Sequence, residues 1–517
     1  MSKTGKHLSK FIVGSLLLAT MMTPVFSQSV DDETITETQE VVGNPIFTET
    51  VREADTRRRS INNLGSDDAR RNQLLGLNDP IDIDTLTQPQ VPTPIPAPTN
   101  AQQNAQPALA ATPITNPTDP NGSTLANIAA APVQTGTPVA PAADPFAATG
   151  LRLGTYDVNV SLEQAIGYSS NVSQQVDGDS GAFSDTSVVA SITSDWSRHQ
   201  WQTNINGNYR RPFDDEEIDT PQLLINTALR LDLIDGYTLT TNGFYNITTQ
   251  GFTSSTLAPG AIDNPIVENF GGGVELQRTN RKLQLTLTGD IDRAEFESSD
   301  LGGGIIQDES DQNNTEYRLT ARVGYEISPA ITPFFEGSYA VRGFDQESDR
   351  NGNDRDSDLF ELRGGVEIDL GEKLNGEIAV GYVNESFDDP LLEDLDAVTI
   401  NGQLNWSPER DTQVLLTLGT TTNNSITAND NGSIIYNGRL DIDRQITDRL
   451  SVNAFADATF ETNIDNNQTF NVGVGTQYWV NRFVAITSQV DFQRFESDAP
   501  NSSFDATSGQ IGILLQR

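Results

Sequence analysis

The chain contains no cysteine. That excludes disulfides, thiolate metal sites and the lipidated cysteine that anchors a bacterial lipoprotein. It has two histidines. His7 belongs to an N-terminal export signal, and His199 falls in the short turn Trp196-Ser197-Arg198-His199, where it reads as an interfacial polar group. A hydrolase built on a Ser–His or Asp–His pair would need a histidine elsewhere. A carboxylate-only glycosidase is open by residue type, but no spacing singles out a pair. There is no phosphate loop and no dinucleotide fingerprint; Gly271-Gly272-Gly273 and Gly302-Gly303-Gly304 read as strand and loop glycines. Basic residues are scarce, 32 against 72 acids, for a formal net charge of -40. Such a chain does not bind nucleic acid through its phosphates. Its acidity suits soluble outer loops, and it would repel anionic solutes or attract divalent cations. Beyond the first residues no apolar run is long enough for a transmembrane helix.

Residues 1–27 have the form of a secretory signal: Lys3, Lys6 and Lys10, an apolar stretch from Phe11 to Met22, and Val25-Phe26-Ser27 before the cut. Residues 28–150 form a leader of different composition. Its first part is charged, with Arg57-Arg58-Arg59 and Arg70-Arg71 among acids, and the spacing over Ile61 to Leu77 predicts a short amphipathic helix. Gln88 to Pro145 is rich in Pro, Ala, Thr and Asn; such a segment cannot bury a core and should be disordered with polyproline character. Extended at about 3.1 Å per residue, roughly sixty residues would reach about 180 Å, enough for a periplasmic spacer. A passive leader is the plainer reading.

From Leu151 to the end, residues 151–517, apolar and polar residues alternate in short runs. Leu283, Leu285, Leu287 and Ile291 interleave with Gln284, Thr286, Thr288, Asp290 and Asp292. Strict alternation means an extended strand with one apolar and one wet face. Short turns recur about every forty residues, two strands apiece, as in a hairpin meander: Ser197-Arg198-His199, Asp235-Gly236, Asn280-Arg281, Ser328-Pro329-Ala330, Gly371-Glu372-Lys373, Pro408-Glu409-Arg410, Thr447-Asp448-Arg449 and Asn481-Arg482. Long polar loops lie between them. The pattern predicts an all-β fold, an antiparallel up-and-down transmembrane barrel of about 18 strands with long loops outward and both termini periplasmic.

Within the strands, Tyr317, Leu319, Ala321, Val323, Tyr325 and Ile327 oppose Arg318, Thr320, Arg322 and Glu326; Phe360, Leu362, Val366 and Ile368 oppose Glu361, Arg363, Glu367 and Asp369. An Arg or Lys on the lipid face near the midplane costs about 2–4 kcal/mol, so the charged parity must face a hydrated lumen. Trp196, Trp201, Tyr237, Tyr325, Trp406 and Tyr478 lie beside short turns on the apolar parity; Tyr168, Tyr209, Tyr245, Tyr317, Tyr382 and Tyr436 lie near long loops on the same parity. Two such rows mark two lipid–water boundaries. The candidate lumen-lining set is Arg210, Arg230, Arg318, Arg322, Arg342, Arg363 and Arg439, with Asp290, Asp292, Glu367 and Asp441; Arg494 joins it on the same reading. Opposed charges would set a transverse field that sorts solutes, or the arginines pair with neighbouring acids as wall structure. The acidic stretch Asp345 to Asp358 has the composition of a calcium loop, but its glycine is misplaced and the bidentate Glu is absent, so a solvated outer loop is expected.

Asp144-Pro145-Phe146, Gly150-Leu151-Arg152-Leu153-Gly154, Ser161-Leu162-Glu163-Gln164 and Gly167-Tyr168, followed by Ser194-Asp195-Trp196-Ser197-Arg198-His199, resemble the outer-membrane β-barrel porin family of alphaproteobacteria. The likeness covers the whole mature chain, and its motifs are structural. It implies a channel without catalytic residues. Because relatives occur in exopolysaccharide-export systems, it also implies a glycan conduit as an alternative. One departure is the end of the chain, Leu514-Leu515-Gln516-Arg517, where general porins carry a terminal aromatic residue read by the insertion machinery. The expectation is a passive porin for small polar solutes, not an enzyme, needing no cofactor. Its partners would be outer-membrane lipids and the insertion machinery, with peptidoglycan or an export complex as partners for residues 28–150. A third reading is a non-conducting surface barrel tethered through the leader.

Overall fold

A computed structural model describes residues 146–517, except 214–218, 235, 252–253, 255–256, 259, 424, 426–430, 463–465 and 500–501. The export signal, the leader before residue 146 with its expected helix, and Asp235 of one expected turn lie outside the described residues.

Strand β1 (Leu151–Leu153) is short. It is followed by β2 (Tyr156–Ser169), β3 (Gly181–Ser194), β4 (Gln200–Pro212), β5 (Thr220–Asp232), β6 (Tyr237–Thr249), β7 (Ile266–Asn280) and β8 (Leu283–Phe296). A loop then carries a small hairpin, β9 (Ser299–Asp300) with β10 (Ile306–Gln307), and a 3-10 turn at Ser310–Gln312. Next come β11 (Asn314–Tyr325), β12 (Ile331–Phe344), β13 (Ser357–Asp369), β14 (Leu374–Phe387), β15 (Leu395–Glu409) and β16 (Thr412–Asn423). The last five are β17 (Ser433–Thr447), β18 (Leu450–Thr462), β19 (Gln468–Asn481), β20 (Val484–Glu496) and β21 (Phe504–Gln516).

The long strands β2–β8 and β11–β21 make a closed antiparallel barrel of 18 strands, each hydrogen-bonded to its neighbours in sequence. β8 pairs with β11 across the loop that holds the small hairpin. The ring closes where β21 returns to β2, from Ser161 opposite Gln516 to Ser169 opposite Ser508. Closure explains how a chain with no spanning helix among its described residues crosses a membrane. Every strand edge is used, so no row of backbone N–H and C=O groups is left in hydrocarbon. The strands run from 12 to 15 residues, longer than the 9–11 that a tilted strand needs to cross, so their ends project past the apolar band.

Residues directly opposite in an antiparallel ladder share a face. Starting from Glu163, the face passes to Ser187, then Asn208, then Gln222. Followed through the remaining ladders it returns by Leu514, opposite Glu163, to the face where it began. The three register shifts, at Trp406/Glu409, Gln445/Thr447 and Trp479/Asn481, sit at short-turn ends and do not break this continuity. The barrel therefore has two consistent faces all the way round. Ile166, Tyr317, Leu319, Val490 and Ile511 are all more than half exposed on one of them, as a lipid-facing wall requires. Among the described residues, buried apolar side chains gather in small clusters such as Trp479, Ala485 and Leu514.

A charge placed at mid-height on the outer face should cost far more than the same charge one residue along. Leu319→Arg is expected to destabilise the folded barrel by about 2–4 kcal/mol, and Thr320→Arg by under about 1 kcal/mol. Urea titration in lipid vesicles, read by heat-modifiable migration, measures both; equal costs would contradict the face assignment.

Candidate functional site

Side chains on the convex face of a barrel splay apart, whereas those on the concave face converge. Arg322 on β11 and Glu377 on β14 lie three strands apart, about 14 Å at the usual strand spacing, yet Nη2 of Arg322 donates to Oε2 of Glu377 at 2.7 Å. Arg342 on β12 reaches past β13 in the same way, its Nη1 lying 2.7 Å from Oε1 of Glu385. The charged parity is therefore the concave one. Its opposite carries the expected aromatics. At the long-loop end, Tyr245 donates to Glu268 at 3.0 Å and Tyr382 to Asp396 at 2.7 Å.

The arginines of the candidate set are paired on this inner wall. Glu316 accepts from Arg318 (2.6 Å) and Arg342 (2.9 Å), and Ser357 donates to Glu385 at 2.8 Å. Arg363 pairs with Glu336, which lies 3.8 Å from Arg322. Arg439 bridges Asp441 (2.7 Å) and Asp457 (3.3 Å). Arg210 meets Asp185 at 3.1 Å, and Arg230 meets Asp232 at 2.9 Å. Glu367 stands directly opposite Glu377. Asp290 faces Arg318 across one ladder, and Asp292 faces Glu316.

Glycines let these groups lie back against the wall. A Cβ on Gly273 would come within 2.0 Å of Oδ1 of Asp290, and one on Gly271 within 2.6 Å of Oδ1 of Asp292. The Gly271-Gly272-Gly273 run is thus the recess into which two carboxylates recline. Inward phenylalanines use the same device. Phe183 lies over Gly167, Phe334 over Gly365 and Phe455 over Gly473. Each ring supports an arginine, with Cζ of Arg210, Arg322 and Arg439 at 4.4, 3.5 and 4.7 Å from the respective centroids. A guanidinium flat on a ring and edge-on to carboxylates is held close to the wall.

Arg494 is a correction. Phe492 and Arg494 share the outer parity on β20, and Arg494 stands opposite Phe470, pairs with Glu496 and is half exposed. It lies two residues from the long-loop end of the strand, where its charge reaches past the apolar band to water. The candidate set, limited to charged residues, leaves out an uncharged arc of the same wall. Gln200, Gln202, Asn204, Asn206 and Asn208 occupy successive inner positions of β4, with Asn226 on β5 and Asn242 and Asn246 on β6. The alternation Gln-Trp-Gln-Thr-Asn-Ile-Asn-Gly-Asn carried the signal, but amides draw no attention when charges are being sought.

At the long-loop end, acids are committed to holding loops together. Arg350 joins Glu309 (2.5 Å) and Asp311 (2.8 Å). Arg355, almost fully buried, pairs with Asp349 at 2.9 Å, and Arg293 grips Asp345 at 2.6 Å through both of its terminal nitrogens. The hydrogen bonds from Arg293 hold the Asp345 carboxyl below the usual carboxylate range. Burial pushes Asp349 the other way, but donors from Asn353, Arg355 and Asn351 outweigh it and the net direction is down. No group of three or more metal-ligating side chains is present among the described residues. His199, at the short-turn end, accepts the backbone N–H of Asp232 at Nδ1 (3.2 Å).

A closed barrel with an apolar outer face and a charged concave face defines an outer-membrane protein of the porin class. Residues 144–517 match the family model described as "Putative beta-barrel porin 2", and the chain belongs to that family. Membership places it in the outer membrane of a Gram-negative bacterium, among lipids, as a non-enzymatic channel protein. No curated protein sequence matches the chain. Among solved structures, the copper transporter OprC is similar at a TM-score of 0.39 and 9% identity, over 71% of this chain and 81% of that one. OccK2 (OpdF) of Pseudomonas aeruginosa is similar at 0.35 and 12%, over 70% and 98%. A BenF-like porin from Pseudomonas fluorescens Pf-5 is similar at 0.35 and 11%, over 71% and 100%. At these scores the likeness carries no argument about solute.

Two outcomes follow. Gly273→Val should lift Asp290 off the wall, lowering single-channel conductance with little loss of folded protein; unchanged conductance would refute the recess. Both loop acids have folded pKa values below their unfolded ones, so the stability they add is present above the unfolded value near pH 4 and is lost as pH falls through the folded value. Amide hydrogen exchange, corrected for intrinsic rates, should show residues 345–356 losing protection as pH falls from 6 through the acid range; protection unchanged across that range would refute the lock.

Proposed function

We propose that the protein is a passive channel for small polar solutes, with its long loops outside the cell and its short turns and leader in the periplasm. The observation that carries this reading is the concave wall of a closed 18-strand ring, which carries the charged and amide side chains of the strands. A barrel of that strand number is wide enough for an aqueous path. Long loops on one side and short turns on the other support the orientation, since outer-membrane barrels place the long side outward.

The wall's charge sets the preference. Each arginine of the set already has at least one carboxylate partner. Glu275, Asp290, Glu367 and Asp443 lie on the same face. The balance is acidic, so field lines in the lumen concentrate cations and hold anions back. The amide arc on β4–β6 offers donors and acceptors to neutral polar solutes without a charge barrier. A hydrated solute passes down its gradient by exchanging hydrogen bonds with this wall, and no bond is made or broken.

Purified full-length protein in a planar bilayer should give discrete conductance steps. Under a salt gradient the reversal potential should take the sign of cation preference, and Glu367→Gln with Glu377→Gln should move it towards zero. No steps would sink the channel reading in favour of a non-conducting surface barrel. Loss of surface glycan in a deletion strain would favour an exopolysaccharide conduit instead.

A further inference from the structure

The closing ladder between β2 and β21 differs from the others. It joins strands from opposite ends of the barrel sequence, and it pairs nine of the fourteen residues of β2, from Ser161 to Ser169. The lower edge of β2 is filled by another piece of chain. β1 pairs there, Leu151 opposite Val158 and Leu153 opposite Tyr156, and Val160 and Arg517 exchange backbone hydrogen bonds at 3.2 and 3.0 Å between the two pieces.

What precedes β1 is seated on the last strands. The Phe146 ring stacks on Trp479 at 6.3 Å between centroids and 11° between planes. It packs against buried Trp479, Ala485 and Leu514, and Cζ of Arg449 lies 5.2 Å from its centroid. Nε2 of Gln516, the penultimate residue, donates to the Phe146 carbonyl at 2.6 Å and to that of Arg482 at 3.0 Å. Trp479, Ala485 and Leu514 all belong to the inner parity, so the ring sits inside the short-turn mouth. Gly150 and Gly154 turn the chain at φ +63° and +65°; a Cβ on Gly150 would come within 2.9 Å of Oδ1 of Asn159. Arg152 pairs with Asp195, and Nε1 of Trp196 donates to Thr155 at 3.2 Å, pinning the β1–β2 turn to the next hairpin.

We propose that residues 146–154 form a clasp that locks the barrel's seam. Phe146 is its aromatic plug, and the ends of β19–β21 are its receptor. A seam between distant parts of a chain bears the greatest closure entropy of any ladder. Its lower end, from Tyr156 to Val158, would otherwise show unpaired backbone groups at the membrane boundary. β1 covers those groups, and Phe146 with Gln516 ties β1 to the strand that ends there. The clasp acts on closure and is independent of what the lumen conducts.

The absence of cysteine makes the test direct. In the full-length protein, Phe146→Ala and Gln516→Ala should both lower the temperature at which the folded band converts on gels, the first by more. Phe146→Trp should retain the parent value. A cysteine at Ser161, in the seam, should label with a water-soluble maleimide several-fold faster when combined with Phe146→Ala; one at Thr288, across the barrel, should label at the parent rate. Unchanged melting and seam labelling would overturn the clasp. So would equal acceleration at both positions, which would mean general loosening. If Phe146→Ala yields no folded barrel, Gln516→Ala is judged by the same two readouts.

Discussion

A backbone inside a bilayer has no water to bond, so each of its polar groups must find a partner within the protein. Everything else in this structure depends on that constraint. The described part of this chain meets it by closing a sheet. Closure in turn fixes two faces for the whole ring, because face parity propagates through every ladder and must agree with itself on return. The outer face then has to be apolar to sit in lipid, and the inner face is free to be polar. The alternation of the sequence is the imprint of that division.

The inner face shows how charged side chains are held against a wall. Long side chains pointing into a lumen would obstruct it. Here they are laid flat, the arginines on phenylalanine rings and against carboxylates, and two of the carboxylates into glycine recesses. Arg322 carries both arrangements, with Phe334 beneath it and Glu377 at its edge. The pairings are wall structure, as one of the two initial readings held. They also leave an acidic balance and an uncharged amide arc, which is the basis of the proposed selectivity.

Much of the fold was legible because period-2 alternation is read directly from side chains. The strand number, the turns and the face of each aromatic row followed from it. What escaped reading was set by contacts, not period. β9, β10 and β1 are two or three residues long, too short to show alternation. Inward Phe183, Phe334 and Phe455 run against the rule that aromatics mark lipid boundaries, because a glycine on the next strand gives each ring a place to lie. Arg494 was assigned inward because a charge was presumed to need a lumen, whereas near a strand end it needs only the rim. Which carboxylate each arginine takes depends on curvature that brings strands three apart within reach.

The central claim is that one alternation separates lipid from water. It is tested most directly by single cysteines at successive positions 317–323 of β11, in a chain with no other thiol. The protein would be labelled in intact vesicles with a water-soluble reagent and, separately, with a lipid-phase one. The account predicts that 318, 320 and 322 react with the aqueous reagent and 317, 319, 321 and 323 with the lipid-phase reagent. Labelling that does not alternate, or that alternates with the opposite sense, would contradict it.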